Sequence, residues 1–324
     1  MQAIIIKTIA EEMKLPVGQV EATARLLDEG NTIPFIARYR KEVTGGLDEV
    51  QLRAIQARLD YLRKLAERRE AVKAEIAEQG KLTAELAAQL DAATTLQAVE
   101  DLYRPYRPKR QTRAQIARER GLEPLAQELL AQDRRLDPEK AAARYVNDQV
   151  PDVQAALAGA RDIIAEQISD DVATRNLVRR RFAADGFVVS RRADDEADKE
   201  GRYRIYHDFR AALRVVQPHQ WLALQRGAAD GSLKVTIETP DGEIVSDIVG
   251  TWITAPVAPA AEHVRRAIED GYERLLRPSV EREVSNQLSE FSDDHAIQVF
   301  AANLRNLLLQ PPLRERAVMG IDPG

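Results

Sequence analysis

One long helical pattern between positions 48 and 79 constrains the fold more than any other feature of the sequence. Its apolar residues keep helical spacing, with one shift of phase after the fourth of them: Leu52, Ile55, Leu59, Leu62, Leu65, Val72 and Ile76. Such spacing places apolar side chains on one face of an α-helix, and Gly80 is typical of a helix end. At 1.5 Å per residue the pattern predicts a helix about 45 Å long, a strut against which shorter helices pack.

The composition favours helix elsewhere in the chain too. The helix formers Ala, Leu, Arg, Glu and Gln are abundant, and aromatic residues make up only 5% of the 324 residues. That length allows roughly two or three domains, and 44% apolar residues are typical of packed globular protein. We therefore predict a mainly α protein with a helix-turn-helix-like element, the long strut helix and a small α/β insertion.

Five regions are expected along the chain, namely 1–102 with the strut helix, 103–186, 187–255, 256–316 and 317–324. The first two are helical, and the second is a further candidate for a helix-turn-helix. Short helices at 9–13 and 17–27 form either a helix-turn-helix or, equally, a plain helical hairpin. Thr112 and Asp137 are expected to cap the helices that follow them.

The third region carries the strand patterns. Positions 187–190 and 233–239 have the residue types and alternation of strands. Pro240-Asp241-Gly242 then predicts a turn, with 243–249 returning as the second strand of a β-hairpin. In the fourth region, Pro278 is expected to separate two helices at 260–276 and 279–291.

Residue usage argues against several functions. The net charge of −5 means that nucleic-acid affinity needs a local basic patch. The absence of Cys excludes disulfides and thiolate catalysis and fits a reducing cytoplasm, where we expect the protein to act. No apolar run approaches the roughly 20 residues of a membrane span. The four His residues lack metal-ligand spacing and no P-loop or Gly-x-Ser-x-Gly occurs, so we predict no metal, no cofactor and no membrane association.

The strongest local charge lies between Tyr103 and Arg120, with seven cations and one acid. Arg guanidinium groups match phosphate, and an aromatic ring can stack on a base. Pro105 and Pro108 are expected to hold this basic segment extended. The candidate nucleic-acid contacts in it are Arg104, Tyr106, Arg107, Lys109, Arg110 and Arg113.

Two interpretations of the basic segment remain open. It is either a loop that contacts phosphate, or a linker whose arginines pair with acids of neighbouring helices while its tyrosines pack inward. A second basic patch consists of Arg38, Arg40 and Lys41. This patch contacts a nucleic-acid backbone or a partner, or its cations complement the dipole at a helix end.

Five segments, in order, resemble the Tex family of bacterial transcription accessory proteins. They are GNTIPFIARYRKE at 30–42, LYRPYRPKR at 102–110, GLEPLA at 121–126, AIQVFAANLRNLLL at 296–309 and GIDPG at 320–324. The resemblance implies a helical N-terminal half with a helix-turn-helix element. An RNase H-like (YqgF-type) domain, helix-hairpin-helix modules and an OB-fold RNA-binding domain are expected to follow.

On that template the chain stops at the first strand of the RNase H-like domain, at 317–324. Asp322 is then the carboxylate of that strand. Two-metal phosphoryl chemistry needs several such ligands around ions about 3.5–4 Å apart, so Asp322 is not expected to act alone.

The residues and the resemblance together predict an N-terminal helical scaffold that takes part in transcription. It is expected to bind RNA or DNA weakly through non-catalytic contacts and to meet RNA polymerase or other transcription proteins. Two alternatives stay open: the N-terminal part of an RNase H-like nuclease or resolvase, and a pure protein-interaction scaffold docking on RNA polymerase. Salt dependence separates nucleic-acid binding from the latter.

Overall fold

The computed structural model describes residues 2–107, 112–194, 198–311, 317 and 319–320. The chain forms two compact units, of which the first ends at Lys109 and the second begins at Arg110. Helices dominate both units, and a three-stranded antiparallel sheet lies in the second. This arrangement confirms the predicted fold class, which is mainly α with a small α/β insertion.

The first unit is helical throughout its described residues. Its helices are α1 (Gln2–Met13), α2 (Val17–Asp28), α3 (Ile33–Tyr39), α4 (Lys41–Thr44), α5 (Glu49–Glu78), α6 (Ala84–Ala92) and α7 (Leu96–Tyr103). The predicted strut is α5. Asp48 caps it reciprocally, because its carboxylate accepts from the Gln51 N–H at 2.8 Å while the Gln51 side chain accepts from the Asp48 N–H at 3.1 Å.

The shift of phase in α5 marks the passage from one hydrophobic core to another. Leu52, Ile55 and Leu59 are buried in a core with α1, α2 and α3. Leu65, Val72 and Ile76 are buried in a second core with α6 and α7. Because one helix contributes to two cores in succession, its buried residues change face along its length, and the shift in apolar spacing in the sequence reflects this change.

The expectation of extended backbone in the basic segment is wrong over residues 104–106. Arg104–Tyr106 form a turn of 3-10 helix, and the Arg107 N–H donates to the Tyr103 carbonyl at 3.1 Å. Pro105 lies at the start of this turn, where its missing N–H costs no hydrogen bond. Lys109 and Arg110 lie outside the described residues.

The second unit combines helices with the sheet. Its elements are α8 (Arg113–Glu119), α9 (Glu123–Ala131), α10 (Pro138–Ala143), α11 (Val153–Asp170), α12 (Val172–Asp185), β1 (Phe187–Arg192), β2 (Asp208–Ala212), α13 (Pro218–Ala229), β3 (Leu233–Glu238), α14 (Asp241–Trp252), α15 (Ala261–Gly271) and α16 (Arg277–Leu308). The predicted caps are confirmed, since Thr112 Oγ1 accepts from the Gln115 N–H at 3.0 Å and Asp137 Oδ1 from the Glu139 N–H at 3.2 Å.

The hairpin predicted at 233–249 is wrong. Strand β3 pairs antiparallel with β1, which pairs antiparallel with β2 on its other side. Residues 241–252 form α14, in which Ile244 and Ile248, one helical turn apart, are fully buried. A short apolar run fits strand and helix alike by its local pattern, and here burial at a spacing of four residues selects the helix.

Pro278 does not separate two helices. Residues 277–308 form the single helix α16, and a wider turn of π-helix, Tyr272–Leu276, lies directly before it. In a regular α-helix the proline ring would press on the carbonyl of Arg274. A π-turn changes the spacing of the carbonyls at this point, so the chain passes the proline without ending the helix.

A buried ion pair fixes α12 to α16 in the second unit. Arg175 is 0% exposed, and its guanidinium pairs with Glu283 and donates to Ser279 Oγ at 3.1 Å. Glu283 also accepts from Arg179 Nε at 2.8 Å. Without these acceptors the Arg175 guanidinium would be an uncompensated buried charge, which costs several kcal/mol.

We expect Arg175→Met to lower the free energy of unfolding of the second unit by roughly 1–3 kcal/mol, because it leaves the Ser169 carbonyl and Ser279 Oγ without their buried donor, while Glu283 keeps its ion pair with Arg179. Both tryptophans, Trp221 and Trp252, belong to this unit, so urea unfolding followed by tryptophan fluorescence reports on it. The control Arg265→Met alters an exposed arginine of α15 and is expected to stay within about 0.5 kcal/mol. Equal midpoints for the two variants would contradict the anchoring role.

Candidate nucleic-acid interface

The tyrosine that opens the basic segment packs inward. Tyr103 is 3% exposed, and its hydroxyl donates to the Glu75 carboxylate on α5. The guanidinium groups of Arg68 and Arg107 lie over its ring, 5.2 and 5.6 Å from the centroid. The hydrogen bond to Glu75, together with burial, raises the pKa of the Tyr103 hydroxyl. Tyr103 thus holds the end of α7 against α5.

The other members of the segment in the first unit are partly engaged. Arg107 pairs with Glu100, which also accepts from Arg68 Nε at 2.6 Å. Tyr106 is half-buried against the second core of this unit. Arg104 is half-buried as well. Pairing of Arg107 with an acid of the preceding helix agrees with the linker interpretation of the sequence.

The remaining described cations of the segment belong to the second unit. Arg113 is exposed at the first position of α8. Arg118 donates to Glu123 at 2.9 Å and pairs with the buried carboxylate of Glu166. Of the candidate residues that the structure describes, Arg104, Tyr106 and Arg107 therefore belong to the first unit and Arg113 to the second.

The second basic patch has a different character. Arg38, Tyr39, Arg40 and Lys41, here called the 38–41 cluster, are all exposed where α3 meets α4. Tyr39 as a whole is 58% exposed. Among the described residues, no carboxylate forms an ion pair with any of the three cations. These charges are consequently available to an anion from outside the chain.

Aromatic rings lie beside these cations. The rings of Phe35 and Tyr39 have their centroids 5.4 Å apart, and the Arg40 guanidinium lies 5.5 Å from the centroid of the Phe35 ring. The three side chains form a row of two rings and a guanidinium plane. Surfaces of this type stack on unpaired bases while their cations attract the phosphates.

The helices fix this row on the outer face of the first unit. Ile33 and Ile36 are buried, so the following residues of α3 point outward. The chain leaves helical geometry at Arg40 and ends α4 at Gly45, where φ is +66°. Because this left-handed backbone conformation is strained for residues with a Cβ, the turn favours glycine.

Two bidentate ion pairs hold α1 and α2 to α5. Arg63 donates to both carboxylate oxygens of Asp28 at 2.7 Å. Arg58 Nε donates to Glu12 at 2.6 Å. The arginine hydrogen bonds lower the pKa of both carboxyl groups.

The structure offers no metal-binding constellation in its described part. No three His, Asp or Glu side chains of those residues converge as metal ligands. Asp322 lies outside the described residues. Within residues 2–107, 112–194 and 198–311, no helix has both the length and the apolar content to span a bilayer.

Comparison with known proteins identifies the family. The family model of the Tex-like protein N-terminal domain matches residues 3–77, and that of the Tex central region matches residues 133–300. The chain belongs to the Tex family, as its sequence resemblance predicted.

Bacterial relatives match along almost the whole chain. It is 41% identical to protein YdcI of Bacillus subtilis over 99% of its length and 42% identical to protein YhgF of Escherichia coli over 98%. It is 39% identical to the transcriptional accessory protein Tex of Neisseria gonorrhoeae over 99%. These alignments cover 45%, 42% and 43% of the relatives, so the chain spans less than half their length.

We expect Asp28→Asn to destabilise the first unit by about 0.2–1 kcal/mol at pH 7, the range of solvent-screened pairs. Because the pKa of Asp28 is lowered in the fold, its contribution is present above the unfolded pKa of about 3.9 and is lost as the pH falls below it. The difference from wild type should therefore vanish toward pH 2–3.

The measurement is urea unfolding followed by far-UV circular dichroism, which reports on the helices of both units. Because both tryptophans belong to the second unit, the transition that is absent from tryptophan fluorescence is assigned to the first unit. Glu21→Gln, which alters an exposed carboxylate of α2, is the matched control and should leave that transition unchanged. A deficit of Asp28→Asn that persisted at low pH would refute the ion pair as its source.

Proposed function

We propose that this chain forms the helical scaffold of a Tex-family transcription accessory protein and contacts nucleic acid without catalysing a reaction. The observation that carries the proposal is the 38–41 cluster, with its three exposed cations that lack an ion-pair partner among the described residues, beside a row of aromatic rings. The name of the Neisseria relative, a transcriptional accessory protein, supports a role in transcription and a non-catalytic one.

Attraction between the 38–41 cluster and a nucleic acid depends mainly on charges close to the cluster. The net charge is −5, and salt screens interactions beyond about 10 Å at 0.1 M, so distant acids weaken the cluster little. Arg38 and Arg40 can each donate two parallel hydrogen bonds to a phosphate, and Lys41 adds a point charge. Three phosphates neutralised on a single strand correspond to a slope of about −2 in log K against log salt.

The aromatic row favours a single strand over a duplex. Bases of a single strand can leave their stack and lie on the Tyr39 ring, whereas bases within a duplex cannot. Phosphate contacts and stacking carry little sequence information, so RNA and DNA of many sequences are expected to bind. The basic segment with Arg104, Tyr106, Arg107, Lys109, Arg110 and Arg113 is proposed as a second, weaker contact, because Arg107 is already paired with an acid.

Two alternative functions are an RNase H-like nuclease and a protein-docking scaffold. As part of an RNase H-like nuclease the chain would act with Asp322 and further carboxylates, and as a docking scaffold it would contact RNA polymerase with no nucleic-acid role. We propose a cytoplasmic protein in either case. Binding data on the cluster distinguish the proposed role from the docking scaffold.

We expect the triple variant Arg38→Ala/Arg40→Ala/Lys41→Ala to lose most of the affinity for a fluorescein-labelled oligo-dT. The slope of log K against log salt, measured by anisotropy between about 50 and 200 mM, should become less negative by about 2. Tyr39→Ala should weaken binding of the single strand and leave binding of a labelled duplex nearly unchanged.

The matched control is Arg25→Ala/Lys64→Ala/Lys81→Ala, which removes the same charge from exposed positions of the first unit. A second comparison, Arg104→Ala/Arg107→Ala/Lys109→Ala/Arg110→Ala, measures the basic segment. Equal losses in the control and cluster variants would show unspecific attraction and refute the site. If the wild-type protein bound neither the single-stranded oligo-dT nor the duplex, the nucleic-acid role would be refuted and the docking scaffold would be favoured.

A further inference from the structure

A groove of 460 Å³ opens on the second unit between α12, the β2–α13 connection and α16. Its volume lies within the range of about 300–1,000 Å³ that is usual for ligand pockets. Its floor is apolar and is formed by Ala183, Leu213, Val284, Leu288 and Phe291. The groove is remote in sequence from the 38–41 cluster, and the proposed function does not use it.

Helix α16 supplies the principal apolar stripe of this groove. Val284, Leu288 and Phe291 follow one another at spacings of four and three residues, so they lie along one face of the helix. Val284 and Leu288 are half-buried, whereas Phe291 is 60% exposed. Ala183 on the facing helix is small and leaves the stripe open. An exposed aromatic ring at the end of an apolar groove is a typical anchor of a protein contact.

The rim of the groove is cationic. Arg179 is committed to Glu283, which is itself shared with Arg175. Arg180 and Arg214 are exposed, and no carboxylate of the described residues forms an ion pair with either. Glu283, the one carboxylate among the described residues that line the groove, is thus already occupied by two arginines. Within that part of the chain the charges of Arg180 and Arg214 have no ion-pair partner.

We propose that this groove binds an acidic amphipathic helix of a partner protein. The apolar side of that helix lies on the stripe of Val284, Leu288 and Phe291, and its flanking carboxylates meet Arg180 and Arg214. Charge complementarity and helix-in-groove packing both select this occupant. Nucleic acid fits less well, because the floor has one aromatic ring for stacking and four aliphatic side chains that cannot bond to base edges.

The test uses a fluorescein-labelled synthetic helical peptide with Leu at i, i+3, i+4 and i+7 and Glu at the flanking positions. It is titrated with the whole chain, and anisotropy is measured. The acidic peptide should bind, and Arg180→Glu/Arg214→Glu should weaken it by at least about tenfold. Phe291→Ala, which removes the aromatic anchor without changing charge, should weaken it as well.

The matched control is Arg134→Glu/Arg265→Glu, the same charge reversal at exposed arginines of the second unit; it should change the affinity less than about twofold. A peptide with Lys in place of every Glu should bind the Arg180→Glu/Arg214→Glu variant better than wild type. Tryptophan fluorescence and circular dichroism confirm that each variant is folded.

Three results would overturn the proposal: no binding of the acidic peptide, equal weakening by the groove and control variants, or preference of wild type for the Lys peptide. Labelled oligo-dT is titrated in parallel. If the groove variant lost oligo-dT binding as strongly as peptide binding, the groove would belong to nucleic acid instead. Failure of the 38–41 variants to affect oligo-dT bears on the proposed function alone.

Discussion

The buried guanidinium of Arg175 is the contact on which the second unit depends. It has no access to water, so Glu283 and Ser279 of α16 must stay within hydrogen-bond distance of α12. Strand β1 follows α12 directly, and the groove walls are α12 and α16. This ion pair therefore links the two helices that form the walls of the groove. Arg175 and Arg179 both pair with Glu283, so the one carboxylate among the described lining residues is not available to Arg180 and Arg214 on the rim.

In the first unit the corresponding constraint is the continuity of α5. Thirty residues of helix carry two cores in succession; α1, α2 and α3 pack on the first, and α6 and α7 pack on the second. Ion pairs from Arg58 and Arg63 fix α1 and α2 at its N-terminal half. The 38–41 cluster is the outer surface of a short helix pair that is held from below by buried Ile33 and Ile36. Burial of Ile33 and Ile36 fixes the orientation of α3, and this orientation leaves residues 38–41 exposed to solvent.

Local signals in the sequence were sufficient for most of the fold. The caps at Thr112 and Asp137 and the strut helix each depend on residues within a few positions, and all three are confirmed. The errors at 104–106, 241–252 and 278 have another origin, because prolines and short apolar runs permit two conformations and contacts distant in sequence select one. The pairing of Arg118 with Glu166, 48 residues away, could not be predicted from sequence for the same reason.

The candidate sites illustrate this limit most clearly. The chain has 47 basic and 52 acidic side chains, so a run of cations in the sequence says little about free positive charge. Between Tyr103 and Arg120 the cations are densest, yet Arg107 and Arg118 are neutralised by acids of the fold. At 38–41 and on the groove rim the cations are fewer, but the described structure places no acid against them. What attracts an anionic partner is the charge that folding leaves uncompensated, and this depends on tertiary contacts rather than on composition.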